Sequence, residues 1–372
     1  MIKNSFIYQR YYMSRPSNSQ IDKAGKLLII NNQDKEALDI VNHWRVLHDA
    51  PARRIQRAVS NIIKDLILDT DEDNIIITRR LKRMPTIISK ITDRKTNIKK
   101  LSTMQDIGGV RIVVDSIHDM YRVYGALKEQ AIGALIRKKD YIKIREKDYI
   151  KNPQDTGYRG IHLIYKLNYP SEKHKHLDGL QVELQIRSRK QHLWATTVEA
   201  ISYAQGESYK TGQGTENWLN FFALVSSLFA WEEIGKIPEI HQHLQDWEII
   251  SLLKQNQDYI TCRQILNNLS LHQLAVESNV PESKKKDGYI LIISDRSAKR
   301  TETKFFKKNN LYEAEQEYMT IEEAIRQGNL SKIAVLIVLD NYTLIQRAYP
   351  SMFVNILDFR AELDKALAQF PL

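Results

Sequence analysis

From Gly109 to about residue 205 the chain switches repeatedly between a two-residue and a helical apolar period, a pattern that fits a mixed α/β layer. Gly109-Val110-Arg111-Ile112-Val113-Val114 is an apolar run of strand length, and Ile117 to Gln130 follows at helical spacing. Tyr141 to Ile150 alternates as a strand. Gly160 to Tyr169 and Leu180 to Arg187 give two more, joined by the polar stretch Ser171 to Asp178. Residues 189–205 return to a helical pattern, as a helix packed on the sheet. The fold class expected is α/β, a mixed β-sheet with helices on both faces.

The flanks read differently. Residues 1–20 are a polar arm. Ile21 to Leu68 is helical, with Leu38, Val41, Trp44 and Leu47 on one stripe and Ile55, Val59, Ile62 and Ile63 on the next. The short run Ile75-Ile76-Ile77 precedes a basic helix that Pro85 starts or kinks. Beyond the sheet, Asn217 to Leu274 is mostly helical. Lys284 to Gly288 forms an exposed turn before a smaller α+β unit. Its clear strands are Tyr289 to Ser294 and Ile333 to Leu339, with helices around Thr320 to Arg326 and Phe359 to Ala368.

No run approaches the roughly 20 apolar residues needed to span a bilayer, and the N-terminus has no signal-peptide core. A cytoplasmic protein without a membrane partner is expected. Cys262 is the single cysteine, which excludes an intramolecular disulfide and a cysteine-based zinc site. The formal charge of +10 fits an anionic partner such as nucleotide or RNA. It is unevenly spread: Arg79 to Lys100 holds nine Lys/Arg and one acid, and Arg137 to Arg159 holds eight against four.

Four segments carry chemistry. Arg80-Leu81-Lys82-Arg83-Met84-Pro85-Thr86 offers two cations and a hydroxyl for a polyphosphate tail. Asp106-Ile107-Gly108-Gly109-Val110-Arg111 puts a carboxylate beside glycines at a strand entrance, where Mg²⁺ can be held near phosphate. Arg145-Glu146-Lys147-Asp148-Tyr149 leads through Asn152-Pro153 to Asp155-Thr156-Gly157-Tyr158-Arg159-Gly160-Ile161-His162, cations followed by a glycine-flanked aromatic suited to stacking on a base. Glu183-Leu184-Gln185-Ile186-Arg187 places three polar residues on one strand face and two apolar ones on the other. No G-x-x-x-x-G-K or G-x-G-x-x-G occurs, so neither a P-loop nor a Rossmann site is supported. His48-Asp49 and His118-Asp119 spell the HD of metal phosphohydrolases, but too few residues surround them for such a domain, and both are expected to be surface pairs.

In this order the four segments resemble the synthetase domain of RelA/SpoT alarmone enzymes, with its G-R-x-K-type helix, D-x-x-G-x-R, K-D-Y-I-x-x-P-x-x-N-G-Y-x-S-x-H and E-x-Q-I-R. The resemblance covers roughly residues 35–210, and His192-Leu193-Trp194-Ala195-Thr196 with Glu199 is similar to the short stand-alone synthetases. It implies a nucleotidyltransferase-like fold and an ATP-dependent pyrophosphokinase, which moves the β,γ-diphosphate of ATP to a ribose 3′-hydroxyl. By the same resemblance Arg80, Lys82, Thr86 and Arg145 would hold ATP, and Asp106 and Glu183 would bind Mg²⁺, with Glu183 also the base. Arg111 and Lys147, with Arg145, would neutralise the transferred group; Tyr158 would stack on the acceptor base; His162 and Gln185 would line its pocket. Three departures fall on the acceptor side: Thr156 for Asn, Gln154 for Lys and Gly160 for Ser.

Three further stretches, Ile21 to Leu27, Trp44 to His48 and Arg347-Ala348-Tyr349-Pro350-Ser351-Met352-Phe353, resemble the CapRel group of fused toxin–antitoxin synthetases. That resemblance implies tRNA as acceptor, with Arg137, Lys138, Lys139 and Lys143 as candidate contacts. It also implies a C-terminal brake through Tyr349, Met352 and Phe353, and a phage capsid protein that releases it. (p)ppGpp synthesis from GDP or GTP, and an inactive RNA-binding module, stand as alternatives. The expected division is 1–34, an N-terminal arm and first helix; 35–215, the pyrophosphokinase domain; 216–275, a helical connector; and 276–372, a C-terminal regulatory α+β domain.

Overall fold

The computed structural model describes residues 15–369, apart from 83, 93–99, 130–140, 169–171, 206, 265, 267–287, 296–299, 308–309, 311–312, 315–316, 319, 322–323, 325–331 and 340–355. The chain divides into two compact units, residues 1–150 with 160–188 and residues 151–159 with 189–372.

The first unit opens with three helices, α1 (Asn18–Ile30), α2 (Lys35–Leu47) and α3 (Asp49–Lys64). Ser17 and Gln20 form a capping box at α1, and Asp34 accepts from the Ala37 amide at α2. These bonds satisfy amides that a helix start leaves open. Pro51 sits in the first turn of α3, where a missing N–H costs nothing. Ile55, Val59, Ile62 and Ile63 then bury one face of α3.

Five strands follow: β1 (Ile76–Leu81), β2 (Gly108–Val114), β3 (Tyr141–Asp148), β4 (Ile161–Leu167) and β5 (Gln181–Ser188). Two helices are interleaved, α4 (Met84–Thr92) and α5 (Ile117–Glu129). The sheet order is β1-β2-β5-β4-β3, and only β2 and β5 run parallel. This is the expected mixed sheet. Val110, Ile112, Val114, Leu163, Leu184 and Ile186 point to one face and join Trp44, Ile55 and Ile62 in a single core. Helices α3 and α5 cover that face.

The helix expected at Pro85 is present as α4, but it begins at Met84: Arg80 and Lys82 precede it, and the chain is strand as far as Leu81. Pairing with β2 decides it: Arg79 and Arg80 lie in register with Val110 and Gly109. The side chains of Arg79 and Arg80 therefore leave opposite faces of the sheet. Arg79 pairs with Asp49 at 2.9 Å and donates to Gln56 of α3, while Arg80 belongs to the other face.

The second unit contains α6 (Arg189–Gln205), α7 (Glu216–Ile234), α8 (Asp246–Gln255) and α9 (Ile356–Ala368). Helix α7 is buried along most of its length. Trp218, Phe221 and Phe222 pack with Tyr209, and Phe229 meets Phe359 of α9 edge-on at 5.9 Å. A three-stranded antiparallel sheet has β6 (Gly288–Asp295) between β7 (Arg300–Lys307) and β8 (Lys332–Leu339). Both strands expected here are present. The third, β7, is an edge strand whose Arg-Thr-Glu-Thr-Lys start is too polar to stand out by hydropathy.

No helix among the described residues is long and apolar enough to cross a membrane.

Candidate active site

The face of the first unit's sheet opposite the core carries most of the expected site. Register places Arg80, Gly109, Glu183, Ile164 and Arg145 in one row across five strands, and Thr78, Arg111, Gln185, His162 and Lys147 in the next. Directly paired residues share a face, so Arg80, Arg111, Arg145, Lys147, His162, Glu183 and Gln185 all project to the same side. Four basic side chains and one acid thus occupy two adjacent rows.

Within that face the polar groups interlock. Gln185 Nε2 donates to Glu183 Oε2 at 2.7 Å, and Arg187 Nη2 donates to Gln185 Oε1 at 2.9 Å. His162 Nδ1 lies 3.0 Å from Glu183 Oε1. Burial pushes the Glu183 carboxyl up, but the charge and hydrogen bond of His162, the bond from Gln185 and the charge of Lys82 outweigh it. They hold it well below the usual carboxylate range.

The second carboxylate stands at the entrance of β2. Lys82 Nζ and Lys90 Nζ each lie 2.7 Å from Asp106 Oδ2. Burial again acts upward, and the two lysines overcome it, with Glu183 opposing them, so Asp106 is also held below its ordinary value. Lys82 is held lowered, because burial outweighs the help from Asp106. Asp106 Oδ1 is buried and has no hydrogen-bond partner among the described residues. Two interacting carboxylates, one with an open oxygen, fit a hard cation such as Mg²⁺ that keeps water and phosphate oxygens as its other ligands.

Both depressed carboxylates make stability acid-sensitive. Their contribution is complete above the unfolded values, about 3.9 and 4.3, and is lost as pH falls through the lower folded ones. Urea midpoints are therefore expected to drop below about pH 4, and to drop less steeply in Glu183→Gln. An unchanged slope in that variant would contradict the pairing.

The sequence assigned no part in the site to three supporting residues. Lys90 falls in the noted basic cluster, one turn beyond Thr86 on α4, and shares Asp106 with Lys82. Arg45 Nε donates to the Lys82 carbonyl at 2.6 Å, fixing the chain between β1 and α4. His48 is not a surface residue: it is 1% exposed, its Nδ1 lies 2.9 Å from the Trp44 carbonyl, and a Cβ on Gly108 would come within 3.0 Å of it. Burial lowers its pKa to about 4, so it packs as a neutral ring. In the other HD pair His118 is exposed, as expected, and Asp119 is not. Asp119 is fully buried and accepts from the Asp69 and Thr70 amides and the Thr70 hydroxyl, which makes it a loop clasp.

Other expected residues are placed elsewhere. Thr86 is exposed in the first turn of α4. Lys143 pairs with Glu146 at 2.9 Å, and Glu146 accepts from Tyr124 of α5. A bulge between Lys143 and Arg145 puts Lys143 in register with the core residue Tyr165, away from the polar face. Tyr158 belongs to the second unit and is 2% exposed. Lys210 Nζ lies 4.9 Å from its ring centre and Trp194 packs at 6.4 Å, so this ring is not open to an incoming base. Tyr149, by contrast, is half-buried and meets His162 edge-on at 5.1 Å. Arg137, Lys138, Lys139, Tyr349, Met352 and Phe353 lie outside the described residues.

Residues 79–208, which contain this polar face, match the family model described as the region found in RelA / SpoT proteins. Two curated relatives come from Bacillus subtilis. The chain is 31% identical over 127 residues to the GTP pyrophosphokinase YwaC, and 33% identical over 130 residues to the GTP pyrophosphokinase YjbM. These stretches cover 33% and 34% of this chain, and the chain spans 56% of the length of each relative. Among solved structures, the small alarmone synthetase 1 from Bacillus subtilis bound to its product pppGpp aligns with 52% of this chain and 92% of that one, at 21% identity and a TM-score of 0.40.

Proposed function

We propose that the polar face transfers the β,γ-diphosphate of ATP to a ribose 3′-hydroxyl. The observation that carries this is the grouping of Arg80, Arg111, Arg145 and Lys147 with Glu183 on one sheet face, beside Asp106, Lys82 and Lys90. Phosphoryl-type transfer asks a protein for alignment and for cations around a loose transition state, and for little covalent chemistry. The 3′-oxygen forms a bond to the β-phosphorus of ATP, the bond from that phosphorus to the α–β bridging oxygen breaks, and AMP leaves with the electron pair. Glu183 is ionised at neutral pH, orients the 3′-hydroxyl and takes its proton as the new bond forms. A loose transition state demands little basicity of it. Arg80, Lys82 and Lys90 bind the triphosphate, and Arg111, Arg145 and Lys147 balance charge on the moving diphosphate. Mg²⁺ held by Asp106 and Glu183 would supply Lewis-acid polarisation of the phosphate oxygens.

For the acceptor we propose the 3′ end of tRNA. The departures at Gln154, Thr156 and Gly160 fall in the acceptor loop, and the charge of +10 suits a polyanion. The names of the curated relatives favour a second reading, GDP or GTP as acceptor. With tRNA as acceptor, transfer blocks translation, and the C-terminal residues from Tyr349 to Phe353 act as a brake that a phage capsid protein releases. Such a chain serves as a self-restrained toxin in antiviral defence.

Full-length protein incubated with γ-labelled ATP, Mg²⁺ and deacylated tRNA, GDP or GTP tests both levels. Label on tRNA with one AMP released per transfer is expected, and growth should stop when the chain is co-expressed with a capsid protein that releases it. Label on guanosine nucleotides alone would remove tRNA and the toxin role. Transfer to none of the three would remove the pyrophosphokinase reading.

A further inference from the structure

The connection between β3 and β4, residues 151–159, leaves and re-enters the first unit's sheet, yet its packing partners lie in the second unit. Its base is closed by a bond from the Tyr149 amide to the Gly160 carbonyl at 2.9 Å. Beyond that base it is fastened to α7. Arg159 Nη2 lies 2.7 Å from Glu233 Oε2, and the two side chains are 3% and 7% exposed. Arg159 Nε donates to Ser226 Oγ at 3.3 Å, and Ser226 Oγ donates to the Gly157 carbonyl. Gly157 sits so close that a Cβ would come within 2.9 Å of Ser226 Cβ and 3.1 Å of Ala223 Cα. The Trp194 indole donates to the Phe222 carbonyl at 2.7 Å and so ties α6 to the same stretch of α7.

Losing one partner of a buried ion pair leaves the other charge uncompensated and is strongly destabilising. The loop that this pair fastens runs directly into two strand ends. Lys147 precedes its base on β3, and His162 follows on β4 in register with Lys147 and Gln185. Glu233 and Ser226 both lie outside the stretch matched by the family model, residues 79–208.

We propose that Glu233 and Ser226 are positioning residues for the acceptor: through Arg159 and Gly157 they fix the β3–β4 connection, and acceptor use depends on them while ATP use does not. This rests on the reading of the polar face as a diphosphate-transfer site with its acceptor side at this loop.

The test compares full-length wild type with Glu233→Gln, Glu233→Asp and Ser226→Ala. Two readouts are taken: KM for acceptor and for ATP, and hydrogen exchange of the 152–159 amides with no substrate present. Glu233→Gln is expected to raise acceptor KM about tenfold or more while ATP KM stays within about twofold, the pattern of lost substrate positioning rather than lost chemistry. Glu233→Asp should restore part of the loss, and Ser226→Ala should show a smaller effect of the same kind. The loop amides should exchange faster in Glu233→Gln, with amides of β2 and β5 unchanged. Equal rises in both KM values, or a fall in kcat alone, would overturn the positioning role. Unchanged loop exchange in Glu233→Gln would overturn the anchor itself. Wild type that transfers diphosphate to no acceptor would remove the diphosphate-transfer reading and the acceptor role with it, and the exchange data would still decide the anchor.

Discussion

Glu183→Gln is expected to lower diphosphate transfer by about 10³-fold, on the order of 4 kcal/mol in the barrier, with the fold intact. The amide keeps the size of the carboxylate and can still accept from Gln185, whose Nε2 lies 2.7 Å from Glu183 Oε2. What it removes is the charge that takes the hydroxyl proton and helps hold a divalent cation. Asp106→Asn should lose as much activity and also stability, about 3 kcal/mol, because Lys82 and Lys90 then face each other with no anion between them. Label transfer should fail in both variants, and at neutral pH the urea midpoint should fall in both, because each loses an ionised carboxylate that steadies the fold. Near-normal transfer in Glu183→Gln would remove Glu183 from the reaction.

Gly157→Ala is expected to destabilise the second unit by about 2–5 kcal/mol. Its φ of +89° lies in the left-handed region, which costs an L-residue about 1–2 kcal/mol. The added methyl also meets Ser226 Cβ and the Ala223 backbone, and overpacking of this kind adds about 1–3 kcal/mol. Gly235→Ala is the control. Its φ is +65° and nothing lies within 4 Å of the position a Cβ would take, so only the backbone cost remains. Thermal melts should show the larger drop for Gly157→Ala. Equal drops for the two would mean that the close approach to α7 contributes nothing.

The polar face was legible because its signal is local. Glu183, Gln185 and Arg187 alternate on a strand whose other residues, Leu184 and Ile186, are fully apolar, and that parity survives any tertiary context. The same logic placed Arg111 on β2. It failed at Arg80 and Lys82, where a basic run beside a proline fitted a helix start. Pairing with β2 decided otherwise. Strand parity alone would put Lys143 on the face of Arg145, and a bulge that no residue type announces reverses it.

The sequence by itself determined the class of sheet, its polar and apolar faces, and the carboxylates and cations that a phosphate chemistry needs. These follow from period and residue type along single strands. Only the tertiary structure decided which partners those groups take. Lys90 meets Asp106 across 16 residues, His48 is buried against Gly108, and Arg159 finds Glu233 on a helix that follows the sheet in sequence. Tyr158, which the motif alone presents as an open stacking ring, is covered by Trp194 and Lys210 for the same reason. A short-range pattern fixes the direction of a side chain, but burial and charge pairing depend on segments brought together only by folding.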